Sequence, residues 1–305
     1  MMESDYKKLL EKCQLCPRNC SVNRLKGEKG YCKQTSEVVL ARAALHLWEE
    51  PCLTGEKGSG TVFFSGCTLG CVYCQNQSIA ASKVGRKVSI KRLSEIFIEL
   101  ERQGAHNINL VTGTHFIPQI IIALKKAKEN GLKVPIVYNT SGYETVESLK
   151  LLKGYIDIYL PDLKYKEDEL SIRYSRAKNY FKYASKAIAE MISQVGKPNF
   201  DETTGLMKKG VIVRHLCLPG AHKNTKAILR YLYKTYGEDI YISIMNQFTP
   251  VCDLSNYPEI NRRLTEREYD KLVNYALDLG IEQAFIQEGE TATESFIPPF
   301  DLEGV

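Results

Sequence analysis

The alternation of two hydrophobic patterns constrains this chain more than any other feature. After residue 60, short apolar runs of β type occur at 61–65, 107–111, 134–139, 155–160, 211–216 and 240–245, with a weaker seventh at 283–287. Segments of helical spacing lie between them, at 89–103, 118–130, 144–152, 174–194, 224–236 and 265–279. Several of the runs are almost continuously apolar, as strands covered on both faces are. Strands alternating with helices point to a parallel sheet, as a barrel or a doubly wound layer. Six or seven units fall short of the eight that close a (β/α)8 barrel. The expectation is an α/β fold with a partial (β/α)6-type barrel. Local signals support the helices: Pro118 suits a first turn, Gly104 and Gly131 fall where a left-handed cap is wanted, and Thr265 with Glu268 reads as a capping box.

The pattern starts late. Residues 1–55 hold five of the ten cysteines and little regular periodicity. The chain therefore divides into a cysteine-rich metal-binding module at 1–55, the partial barrel at 56–290, and a tail at 291–305 that Pro298 and Pro299 mark as extended. A net charge of +5, spread along the chain, is too diffuse to imply nucleic acid. No apolar stretch approaches the roughly 18 residues of a membrane span. The first residues, MMESDYKKLLEKC, lack the apolar core of a signal peptide. A cytoplasmic location is the expectation, and in that reducing compartment clustered cysteines are more often metal ligands than disulfides.

Cys67-x-x-x-Cys71-x-x-Cys74 follows directly on the first apolar run, in a glycine-containing loop with Tyr73 before the last cysteine. Three thiolates are one short of the usual iron–sulfur set. A four-iron cluster held this way keeps one iron without a protein ligand, and an open metal position implies chemistry. A second set, Cys13, Cys16, Cys20 and Cys32, falls within 20 residues. Four ligands suit a closed site, either tetrahedral zinc or an auxiliary iron–sulfur cluster. Such a metal supplies folding free energy to a segment poor in apolar residues. Cys52, Cys217 and Cys252 are isolated and read as small buried residues. The glycine-rich Gly55–Thr61 stretch lacks the G-K-[ST] order of a phosphate loop and precedes its strand.

Ligands of parallel α/β sheets sit at the carboxyl ends of the strands. Those ends carry the cysteine loop, Thr112-Gly113-Thr114-His115, Asn139-Thr140-Ser141, Pro161-Asp162-Leu163-Lys164, Arg214-His215 and Met245-Asn246-Gln247. Polar residues gather wherever strands exit into loops, but five such ends beside the three-cysteine loop are better explained by a site.

In these segments the chain resembles the radical S-adenosylmethionine (SAM) enzymes, through C-x-x-x-C-x-aromatic-C. More closely, it is similar to uncharacterised homologues of pyruvate formate-lyase activating enzymes, through CQLCPRNC, LHLWEEP, GSGTVFFSGC, CVYCQNQSI, QGAHNINLVT, IVYNTSGYE, DIYLPDLKY, VIVRHLCLPG and FDLEGV. The resemblance implies a radical SAM barrel with a 4Fe–4S cluster on Cys67, Cys71 and Cys74. It implies SAM on the fourth iron, cleaved by one electron to methionine and a 5′-deoxyadenosyl radical that abstracts hydrogen from a substrate. By the same resemblance Tyr73 lies against the adenine, Asn76 follows the cysteines, Asn139 and Ser141 bond the ribose or methionyl part, and Asp162 and Lys164 form a D-x-K pair. Arg214 faces the SAM carboxylate. At the second strand, where activases present Gly-Gly-Glu to the SAM amino group, this chain has Thr112 and Gly113, whose neighbour His115 faces either substrate or core. The implied partners are a low-potential donor of flavodoxin or ferredoxin type and a substrate, either the glycine of a glycyl-radical enzyme or a small molecule or other peptide. A non-enzymatic iron–sulfur carrier would need the cysteines alone and no carboxylate clamp.

Overall fold

The computed structural model describes residues 3–287 and 297–305; residues 288–296, at the expected join of barrel and tail, lie outside them. Among the described residues ten strands form one sheet: β1 (Val38–His46), β2 (Ser59–Phe64), β3 (Arg86–Val88), β4 (Ile108–Val111), β5 (Ile136–Thr140), β6 (Ile158–Pro161), β7 (Asn199–Phe200), β8 (Met207–Leu216), β9 (Tyr241–Met245) and β10 (Ala284–Ile286). Their order is β10-β9-β8-β6-β5-β4-β2-β1-β3, with β7 paired to β8. From β10 through β2 the pairings are parallel, while β1 is antiparallel to both β2 and β3. All seven apolar runs are strands. β2, β4, β5 and β6 are buried along their whole length, which is why they read as continuous rather than alternating.

The helices fall where the spacing puts them, at Ile90–Arg102, Ile117–Glu129, Val146–Leu151, His222–Tyr236 and Glu266–Asp278. The Thr265–Glu268 capping box forms in both directions. After two helices the backbone closes through Gly104 and Gly131 at φ +97, with Ala105 N–H on the Leu100 carbonyl and Leu132 N–H on the Ala127 carbonyl. The single helix expected at 174–194 is two, Asp168–Ser175 and Tyr180–Val195. Arg176 and Asn179, both at positive φ, break the run. The Asp168 carboxylate accepts from Asn179 N–H across the break.

The sheet also reaches back into the cysteine-rich segment. β1 carries a bulge between Leu40 and Arg42 that disturbs its period-two pattern. The tail docks there: Leu302 N–H donates to the Ala41 carbonyl and Ala43 N–H to the Glu303 carbonyl. Arg42 holds Asp301 at 2.7 Å.

Between β1 and β2 the chain enters the sheet's concave face. Cys52 and Leu53 pack against Val137, Ile158, Leu160 and Ile212. Two residues along the same strands stand Asn139, Asp162 and Arg214. Side chains two apart share a face, so this face passes from an apolar layer to a polar one as it approaches the strands' carboxyl ends.

Candidate active site

That polar layer borders a cavity of about 220 Å³. Cys67, Cys71 and Cys74 line it, together with Tyr73, Asn76, Thr112, Asn139, Ser141, Asp162, Lys164 and Arg214. With Met245 and Gln247 at β9, the fold gathers residues from five separate strand ends around the cysteine loop. Gly113 stands outside the lining. Its Cα packs into the core, where an added Cβ would come 2.6 Å from Ile120 Cδ1. His115 is buried as well, with Nε2 2.8 Å from the Ser65 carbonyl. Burial and the Arg24 charge push its pKa down to about 3. Of the two placements open to His115, the core is the one observed.

Charge organises the floor. Arg214 Nε donates to Asp162 at 3.2 Å, Nη1 to Glu49 at 3.2 Å and Nη2 to Asn139 at 2.6 Å. Three of its five N–H groups are thereby engaged, and two remain for a ligand. Lys164 Nζ lies 2.7 Å from the other Asp162 oxygen. Burial resists ionisation of Asp162, yet the Lys164 and then the Arg214 cations outweigh it and hold the carboxyl below its ordinary value. Glu49 is the reverse case: burial dominates and raises its pKa despite Arg214. Glu49 arrives on the segment that plugs the concave face. Glu49 belongs to no strand end, and its signal in the sequence is the acidic pair Glu49-Glu50 between Trp48 and Pro51.

The cysteine loop is held by hydrogen bonds that end on sulfur. Leu69 N–H donates to Cys67 Sγ at 3.3 Å, and the Ser175 hydroxyl to Cys71 Sγ at 3.1 Å. Ser175 in turn bonds the Tyr165 hydroxyl at 2.8 Å, and Tyr165 bonds Tyr73 at 2.7 Å. The Tyr73 ring therefore borders the cavity with its hydroxyl turned into the protein. Gln75 ties the loop to β9 through the Gln247 carbonyl at 2.7 Å. Thr112 has φ +60, a costly conformation for a β-branched residue, of the kind that collects at functional sites.

The sequence profile of the Radical SAM superfamily matches residues 61–225, more than half of the chain. The chain belongs to the radical SAM superfamily. The uncharacterized protein MJ0674 of Methanocaldococcus jannaschii is 32% identical over 286 residues, covering 90% of this chain and 78% of its own length. Among solved structures, the FeFe-hydrogenase maturase HydG of Carboxydothermus hydrogenoformans superposes with a TM-score of 0.52 at 14% identity, over 76% of this chain and 54% of that one. Methylornithine synthase (PylB) superposes at 0.50 and 13% identity, over 81% and 65%. Streptococcus suis SuiB, bound to precursor peptide SuiA, does so at 0.50 and 12%, over 74% and 47%. This chain spans about half the length of SuiB and HydG, and at these identities the likeness is one of fold.

Membership in the radical SAM superfamily implies a 4Fe–4S cluster and SAM. The donor set fits both. Burial raises the Cys67 and Cys74 pKa values, and metal binding displaces those protons. Among the described residues no three Cys, His, Asp or Glu side chains are grouped to hold one metal ion. A four-iron cluster does not require that, since each sulfur takes a different iron. The cavity offers SAM, a cation that also bears an ammonium and a carboxylate, partners of both signs. None of the described helices is long and apolar enough to cross a membrane.

Proposed function

We propose that Cys67, Cys71 and Cys74 hold the cluster and that the polar layer beside them binds SAM. The observation that carries this is the meeting of three thiols, two cations and two carboxylates in one cavity. When bound, the cluster and SAM would supply a one-electron cleavage of SAM to methionine and a hydrogen-abstracting 5′-deoxyadenosyl radical. Arg214 and Lys164 present the positive charge that a methionyl carboxylate needs, Arg214 through its two remaining N–H groups. Glu49 and Asp162 keep those cations fixed and offer acceptors to an ammonium. Asn139, Ser141 and Thr112 supply neutral hydrogen bonds, with Tyr73 and Asn76 on the cysteine side. The electron comes from a low-potential donor of flavodoxin or ferredoxin type. Cys13, Cys16, Cys20 and Cys32 hold a second, closed site, an auxiliary iron–sulfur cluster rather than a single zinc ion, because among the described residues no three such side chains are grouped to hold one ion. Tyr31 N–H donating to Cys20 Sγ at 3.3 Å supports this reading.

The substrate we propose is the glycine of a glycyl-radical enzyme, a reading that rests on the activase-like segments of the sequence. Protein reconstituted anaerobically with iron and sulfide, then reduced, should convert SAM to 5′-deoxyadenosine and methionine. Absence of cleavage by cluster-loaded protein would end the enzymatic reading. A glycine-centred radical signal on adding a glycyl-radical enzyme from the same organism would support the activase role. Deuterium transfer to deoxyadenosine from a small molecule or a different peptide would replace it.

A further inference from the structure

Two arginines of the four-cysteine segment reach into the loops of the active site. The Arg18 guanidinium lies over the Tyr31 ring, 3.7 Å from its centroid. It donates to the Thr68, Leu69 and Ser175 carbonyls at 2.9 Å each and to the Arg176 carbonyl. Thr68 and Leu69 stand between Cys67 and Cys71. Leu69 N–H and the Ser175 hydroxyl are the groups that bond the sulfurs of those same cysteines. Arg18 is thus one residue removed from two of the three catalytic thiols. Arg24, 1% exposed, donates to the His115 carbonyl in the loop after β4. The surfaces are closely fitted: a Cβ on Gly66 would lie 2.5 Å from the Cys32 carbonyl, and one on Gly70 3.0 Å from the Tyr31 hydroxyl. Both glycines have positive φ, +88 and +68.

We propose that the four-cysteine segment is a clamp on the catalytic loop, and that Arg18 is the positioning residue through which it raises the cluster's reduction potential. This rests on Cys67, Cys71 and Cys74 being the cluster ligands. Reduction adds one negative charge to the cluster, and a fixed cation beside the loop stabilises the reduced form. The guanidinium also holds the peptide and hydroxyl dipoles that point at the sulfurs, a second route to the same potential. Lysine keeps the charge and loses the fork of donors.

The test is a redox titration of the full-length reconstituted protein, followed by the electron paramagnetic resonance signal that Cys71→Ala abolishes. If wild type shows no such signal, the ligand assignment fails and the clamp fails with it. With the signal present, Arg18→Gln at unchanged iron content should lower the equilibrium constant for reduction by about tenfold, or about 59 mV for one electron. Arg18→Lys should recover at least half of that shift in millivolts. An Arg18→Gln potential equal to wild type overturns the clamp while leaving the ligand assignment intact. Should Arg18→Gln load no cluster, Arg18→Lys decides: loading with a near wild-type potential upholds the proposal, and failure to load overturns it.

Discussion

The molecule holds two cysteine sets that differ in what surrounds them. Cys67, Cys71 and Cys74 stand at the carboxyl end of β2 and border a cavity with Arg214, Lys164, Asp162 and Glu49 around it. Cys13, Cys16, Cys20 and Cys32 lie outside the sheet, with Arg24 buried beside them. Thiols near ligand-binding charges at an open mouth are disposed for chemistry. Thiols packed behind that loop and outside the sheet are disposed for support.

The sharpest way to break that contrast is Cys71→Ala. It should cut SAM cleavage by more than about a thousandfold, because the uncatalysed reaction alone remains, while the melting temperature moves little. Cys16→Ala should do the opposite first, lowering metal content and destabilising the fold by several kcal/mol. Equal losses of stability in the two variants would erase the distinction.

Glu49→Ala should raise the Kd for SAM about tenfold, since it leaves the partly buried Arg214 without one of its counter-ions; isothermal titration of the cluster-loaded protein checks it. A separate effect, on stability alone, belongs to Glu144, which is buried beside Thr140 of the cavity wall. Thr114 and Thr140 donate to it, but burial outweighs them and pushes its pKa up to about 7 from 4.5. The folded state then binds more protons than the unfolded one between those values, so stability should fall as pH rises from about 4.5 to 7 and level off above. The total is of order 3 kcal/mol. Urea titrations of Glu144→Gln should lose this slope while keeping the cysteine contrast intact.

Much of this was legible in the chain. Continuous apolar runs announced buried parallel strands, and polar residues at the strand ends, Asn139, Asp162 and Arg214 among them, announced a site there. What escaped was non-periodic. β1 hides behind a bulge and an alanine-rich composition, and its partner strand and the tail are brought to it by tertiary pairing. The break at 176–179 needs two left-handed residues that no glycine advertises. Glu49 depends on a segment entering the sheet's concave face, which local spacing does not encode.

The plug between β1 and β2 bears on any search for a minimal catalyst. Cutting the chain at residue 55 would keep every βα unit and the three cysteines of the proposed cluster site. It would also remove Leu53 from beneath the strands and Glu49 from Arg214, so the excised barrel would inherit a hollow base and an arginine short of one carboxylate. A working fragment has to begin upstream of Val38, where the scaffold begins.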